Sequence, residues 1–248
     1  SVLCLIANPA EPVLTSELVD KIHHVTHGEI NWLARDIACE IVQPELATPL
    51  EVAREMIGDL PIDAAHIPLA NRRKKMLIAD MDSTMINEEC IDELADALGL
   101  KEQVADITAR AMNGELDFAA ALDTRVALLK GLDRKRIEEV RRERITYAAG
   151  GRALVHTMKA YGAHTVLVSG GFTFFADHIA KRIGFDEAHA NVLEFEGDTL
   201  TGTVAKPIVD KDTKYDKLHE IAAAHDIPIA QTLAVGDGAN DLPMLRAA

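Results

Sequence analysis

The residues able to do chemistry fall in three short polar motifs, each directly after an apolar run. In the first, Asp80-Met81-Asp82-Ser83-Thr84, two carboxylates stand two positions apart where the chain leaves the predicted strand Met76–Met81. One can face a reacting group while the other lies beside it; alone, the pattern is equally an Asp cluster capping the next turn. The second, Ser169-Gly170-Gly171, follows the predicted strand Thr165–Val168 and precedes a predicted helix, Phe172–Ile183. A hydroxyl with bare backbone N–H groups at a helix N-terminus makes an anion site, although a lone Ser-Gly-Gly is also a plain strand-to-helix turn. The third, Gly236-Asp237-Gly238-Ala239-Asn240-Asp241, follows the predicted strand Thr232–Val235. Hard carboxylate oxygens of this kind suit Mg2+ with water and phosphate oxygens, or else a tight Asx/Gly turn. Lys214 opens the predicted helix Asp212–Ala224 and by default is a surface lysine.

Strands alternating with helices predict a mostly parallel, doubly wound α/β sheet. In such sheets ligands bind at the carboxyl ends of the strands, where all three motifs fall. Ahead of this core the order β-α-β-β-α-β over residues 1–70 is that of a ferredoxin-like domain. Its helix Thr15–His27 carries Leu18, Val19, Ile22 and Val25 on one face, and Thr48 stands as the N-cap of Pro49–Ile57. The basic stretch Asn71–Lys75 reads as a linker or solvated lead-in. Residues 71–87 and 148–248 are assigned to the core, and the helical stretch 88–147 to a cap over the sheet edge.

The 248 residues carry a net charge of −14, which leaves no general footprint for nucleic acid or an anionic membrane. An acidic chain that handles an anion needs a metal or a few placed Lys and Arg residues. Three scattered cysteines argue against a disulfide framework, and no apolar run spans a bilayer; a cytoplasmic location is expected. Walker, Gly-x-Ser-x-Gly and His-Glu-x-x-His patterns do not occur. His23 and His27 stand at i, i+4 but have no third ligand at a suitable spacing, so a zinc site there is disfavoured.

Taken together, Asp-x-Asp, Ser-Gly, Lys and Gly-Asp-x-x-Asn-Asp form, in order, the motif set of the haloacid dehalogenase-like phosphohydrolases. The stretches Asp80–Glu93, Arg125–Leu132 and Val168–Phe172 closely resemble the phosphoserine phosphatases of that family, and residues 1–70 resemble ACT domains in element order alone. The resemblance implies Asp80 as nucleophile and Asp82 as general acid and base. It implies Mg2+ on the Asp80 carboxylate, the Asp82 carbonyl and Asp237, with Asp241 in support. Ser169, Gly170 and Lys214 would hold the phosphoryl group, with Asn240 nearby. Glu89 would read an ammonium and Arg125 a carboxylate, while Met112 and Phe118 close the cap. The implied substrate is O-phospho-L-serine; a homodimer is left open. Relatives continue past the last helix, so an edge strand beside Thr232–Val235 is expected to be missing from a chain ending at Ala248. Two alternatives stand: a phosphatase or phosphotransferase for another small phosphomonoester, and an amino-acid-sensing module on an inactive core.

If Asp80 is the nucleophile, Asp80→Asn abolishes phosphate release and phosphoenzyme formation while circular dichroism stays unchanged. Substantial turnover by the pure variant would refute the assignment.

Overall fold

The computed structural model describes residues 1–112 and 115–248, with the side chains of Ala111 and Met112 left aside. Contacts divide the chain into two units, Ser1–Arg73 and Lys74–Ala248. The first contains β1 (Val2–Ala7), α1 (Ser16–Thr26), β2 (Glu29–Ala34), β3 (Ala38–Val42), α2 (Pro49–Ile57) and β4 (Ile62–Ile67). Its sheet is wholly antiparallel in the order β2-β3-β1-β4, the ferredoxin-like arrangement. Leu3, Leu5, Val19, Ile22, Ile41 and Ala53 fill its core.

Three local expectations in this unit are corrected. The inner face of α1 is Val19, Ile22 and Thr26; Val25 is exposed, because burial tracks the packing of α1 on the sheet rather than apolarity alone. Thr48 occupies the N-cap of α2 but its hydroxyl makes no capping bond, since its backbone turns out of the extended region that such a bond needs. Arg72 is not a solvated linker residue: its guanidinium pairs with the buried carboxylate of Glu40, which cannot stay ionised there unpaired.

The second unit begins with β5 (Met76–Ala79), followed by the inserted helices α3 (Cys90–Ala97), α4 (Lys101–Met112), α5 (Phe118–Leu128) and α6 (Arg134–Glu143). The chain returns through α7 (Gly151–Ala160), β6 (His164–Phe172), α8 (Thr173–Ile183) and β7 (Glu187–Asn191). A hairpin, β8 (Leu193–Glu196) with β9 (Thr199–Val204), precedes α9 (Lys211–Ala224), β10 (Thr232–Val235) and α10 (Leu242–Ala247). β10, β5, β6 and β7 form one parallel sheet in that order. Apolar side chains of β5 point alternately to two sides. Leu77 and Ala79 join the larger core with Phe175 and Ile179, and Met76 and Ile78 pack with Leu218 and Ile221 of α9. All three cysteines are buried and free. Among the described residues no helix is long and apolar enough to cross a membrane.

The helical insertion is closed at its neck, where Ile86 bridges Tyr147, Asn87 N donates to Thr146 O and Ala148 N donates to Met85 O. The β8–β9 hairpin backs onto it: Leu200 N donates to Leu132 O, and Gly131 N to Leu200 O. β6 runs longer than the sequence pattern suggests, through Ser169-Gly170-Gly171 to Phe172, with its pairing to β7 interrupted between Val168 and Phe172. This displaced segment is held by Asn191, 1% exposed, whose Nδ2 donates to Gly170 O at 2.8 Å and whose Oδ1 accepts from Val209 N at 2.7 Å. Asn191→Ala leaves these buried backbone groups without partners and is expected to cost about 2–4 kcal/mol in urea denaturation of the second unit. A cost below about 1 kcal/mol would show that the segment holds itself.

Candidate active site

Each polar motif owes its place to the sheet. β5 stops at Ala79, two residues before the expected end, and Asp80 N donates to Val235 O at 2.9 Å, so Asp80 stands at the lip of the sheet beside β10. Its Oδ1 accepts from Met81 N at 2.7 Å and lies 2.8 Å from Lys214 Nζ; among the described residues no hydrogen bond reaches Oδ2. Lys214 is not a surface residue. It sits in the first turn of α9, 1% exposed, with its ammonium also 2.7 Å from Asp241 Oδ1. Asp241, fully buried, accepts from Gly238 N through Oδ2.

The loop after Asp80 turns sharply because Ser83 adopts a left-handed conformation, with φ of 55°. That turn sends Ser83 Oγ to Glu89 Oε1 at 2.8 Å and Thr84 Oγ1 to Asp237 Oδ1. Neither positioning role is marked in the sequence, since a Ser-Thr pair in a loop carries no such signal. Asp82, half-buried, accepts from Cys90 N at 3.2 Å through Oδ1. A Cβ on Gly171 would come within 2.6 Å of Asp82 Oδ2 and 3.0 Å of Ser169 Oγ; only glycine lets β6 approach the Asp82 carboxylate so closely. Ser169 is 1% exposed and its Oγ accepts from Gly171 N at 2.8 Å. This Ser-Gly-Gly segment is not a strand-to-helix turn, as the sequence suggests, but part of the strand itself: β6 runs to Phe172 and α8 begins at Thr173.

The inserted helices bring further residues to the same edge. A Cβ on Gly170 would meet the Phe118 ring at 3.1 Å, so the start of α5 reaches down onto the Ser169-Gly170 segment. Arg125 of α5 donates to Ala121 O and Thr108 Oγ1 and lies in the fields of Asp92 and Glu89. Asp92 was not singled out in the sequence; one more acid on a helix face gives no signal. Met112 ends α4, and its side chain lies outside the described residues. Asn240 shares the Asp237–Asp241 loop, its side chain turned back over Gly238. His23 is hydrogen-bonded to Gly28 O in the other unit and joins no ligand group among the described residues.

Electrostatics separate the carboxylates. Burial raises Asp80 to about 6; Lys214 opposes the shift and Asp241 adds to it. Burial, then the charge of Glu89, raises Asp82 to about 7 against the hydrogen bond from Cys90. Glu89 is raised as well, first by burial. Oxygens of Asp80, Asp237 and Asp241 lie within 4.8 Å of one another. Three carboxylates this close repel, and a hard divalent cation relieves the repulsion with the oxygen donors it prefers. Both Asp241 oxygens already have partners, which leaves Asp80 and Asp237 as the freer donors.

A parallel α/β core with an inserted helical cap, an Asp-x-Asp lip and a buried Lys between two carboxylates defines a phosphohydrolase class, and the comparisons agree. Residues 77–246 match the haloacid dehalogenase-like hydrolases, and the chain belongs to that family. Phosphoserine phosphatase of Albidiferax ferrireducens is 46% identical over 186 residues, 73% of this chain and 78% of that protein. That of Streptomyces coelicolor is 43% identical over 232 residues, 93% of this chain; the chain spans only 55% of that relative's length. A solved structure described as a phospho-aspartyl intermediate analogue of phosphoserine phosphatase superposes with a TM-score of 0.66 at 39% identity, covering 71% of this chain and 83% of that one. Within the family the chain groups with the phosphoserine phosphatases.

The raised Asp82 has a thermodynamic consequence. Its folded value lies above its unfolded one, so the folded state binds the extra proton and loses stability as pH rises from about 4 to 7. In metal-free protein Asp82→Asn removes that loss while keeping an acceptor for Cys90 N. The variant is therefore expected to gain on the parent by about 3 kcal/mol between pH 4.5 and pH 8 in urea melts. A pH-independent difference would show that Asp82 is not held protonated.

Proposed function

We propose that this chain hydrolyses O-phospho-L-serine to L-serine and phosphate through an aspartyl-phosphate, with Mg2+ as the cation. The supporting observation is a pair of opposite charges near the acids: Glu89 held by Ser83, and Arg125 of α5 in its field. A carboxylate and a guanidinium near the Asp80–Asp82 acids match the ammonium and carboxylate of a phosphorylated amino acid.

Asp80 attacks phosphorus through the oxygen that Lys214 and Met81 N leave unbonded. The P–O bond to serine breaks as the Asp80 O–P bond forms. Lys214 Nζ offsets the repulsion between the Asp80 carboxylate and the incoming dianion and holds Asp80 in place. Burial and the charge of Glu89 raise Asp82, whereas Lys214 opposes the rise at Asp80, so Asp82 is the carboxyl that carries the proton. It donates that proton to the departing serine oxygen, then, as a carboxylate, takes one from the water that cleaves the acyl-phosphate. Mg2+, when bound at Asp80, Asp237 and the Asp82 carbonyl, supplies positive charge to the phosphoryl oxygens. Ser169 and the Gly170 backbone would hold the phosphoryl oxygens, with Asn240 nearby, and Phe118, packed on Gly170, would cover them from the cap side.

Arg125→Ala and Glu89→Gln test this reading. Each removes one charged hydrogen-bond partner, worth about 1.5–3 kcal/mol, so kcat/KM for phosphoserine is expected to fall about ten- to a hundredfold. Hydrolysis of p-nitrophenyl phosphate, which has neither group, changes only a few-fold. Parallel losses on both substrates at saturating Mg2+ would withdraw the amino-acid specificity and leave a phosphatase for another small phosphomonoester.

A further inference from the structure

A second group of ligand-bearing side chains meets at the opposite pole of the catalytic sheet. His164 opens β6, Glu187 opens β7, and His225 caps the C-terminal end of α9. Because β6 and β7 are parallel neighbours, their first residues lie at the end remote from Ser169. One nitrogen of each imidazole and one Glu187 oxygen all lie within 4.8 Å of one another. The two rings stack with centroids 3.9 Å apart and planes 27° from parallel. Glu187 Oε1 is 2.6 Å from His164 Nε2, and its Oε2 is 2.8 Å from His189 Nε2.

We propose that His164, Glu187 and His225 bind a transition-metal ion of the Zn2+ class, clasping the end of α9 to the start of the sheet. Two imidazoles and one carboxylate form a donor set typical of Zn2+, and His225 is exposed, so water can complete a tetrahedron. Donor atoms about 2.0–2.2 Å from a tetrahedral ion are roughly 3.3–3.5 Å from each other. The His164–Glu187 contact must open by less than about 1 Å to reach that spacing, a change that side-chain torsions can supply without backbone movement.

The surroundings also suit a cation. His164 Nδ1 lies 3.8 Å from Asp186 Oδ2, and that carboxylate is fixed by Thr165 N and Thr165 Oγ1, each at 2.9 Å. A ligand imidazole whose other nitrogen faces a carboxylate is the usual outer support of a metal-bound histidine. His189 steadies the second oxygen of Glu187 in the same way. The C-terminal end of α9, a helix of 14 residues, adds the negative end of its dipole. Mg2+ prefers oxygen and water and is a poor match for the two nitrogens, so this site and the acidic one select different ions. The clasp would fix α9 about 16 Å from Lys214, eleven residues back along the helix.

The test is calorimetric titration of Zn2+ into the metal-free full chain held in saturating Mg2+. One equivalent is expected to bind in the presence of Mg2+, and the melting midpoint of the catalytic unit to rise about 5–10 °C at hundredfold excess over Kd. His225→Gln and Glu187→Gln should each weaken that equivalent about a hundredfold, while a His23→Gln, His27→Gln double variant binds like the parent. Unchanged Zn2+ affinity in His225→Gln, or no Mg2+-resistant equivalent in the parent, overturns the proposal. Should Glu187→Gln unfold, His225→Gln decides alone, because its exposed side chain carries little of the core. No substrate enters these measurements, so the outcome is independent of the phosphoserine reading.

Discussion

Lys214, 1% exposed, lies between Asp80 Oδ1 at 2.8 Å and Asp241 Oδ1 at 2.7 Å. An ammonium moved out of water alone costs several kcal/mol, and so does each carboxylate. None of the three is stable there as an ion without the others. The triad joins three stretches distant in sequence: the end of β5, the first turn of α9 and the loop after β10. Asp241 passes the constraint on to Gly238 N, fixing the loop that presents Asp237. Removal of the lysine would leave two buried carboxylates facing each other, so the triad keeps the strand ends together.

Space at this edge is as restricted as charge. A Cβ on Gly236 would run into the Asp241 carboxyl at 2.5 Å, one on Gly171 into Asp82 at 2.6 Å, and one on Gly170 into the Phe118 ring at 3.1 Å. The glycines of the two Gly-containing motifs are thus places where backbone passes against a functional side chain. Asn191, behind Gly170, supplies the hydrogen bonds that the interrupted β6–β7 ladder lacks.

The inserted helices are tied to the core by backbone pairing at both ends. Ile86–Tyr147 closes the neck, and the β8–β9 hairpin buttresses the turn between α5 and α6. Lys206 adds a bond from the chain after β9 to Asp123 of α5. These attachments hold Glu89, Asp92 and Arg125 where their charges act on one another. Asp82 in turn feels Glu89, which helps to separate its proton affinity from that of Asp80.

Much of this architecture could be read in the residues alone. Apolar runs ending in Asp80 and Gly236 mark strand ends because a buried parallel strand must be apolar until it reaches solvent. Asp117, Asp133 and Asp210 cap α5, α6 and α9 through bonds to N–H groups two or three residues on, a strictly local effect. What local pattern could not decide is everything that depends on distant partners. A lysine near a helix start looks solvated until two carboxylates from other strand ends enclose it. Val25 looks buried until α1 settles on its sheet through Val19 and Ile22, and Arg72 looks like linker until Glu40 requires its charge. His164, Glu187 and His225 stand 23 and 38 residues apart and show no motif; only the parallel register of β6 with β7 and the packing of α9 bring them together. Periodicity reports which face of an element is apolar, whereas pairing order, burial of charge and the meeting of side chains arise from contacts between elements, which exist only once the chain has folded.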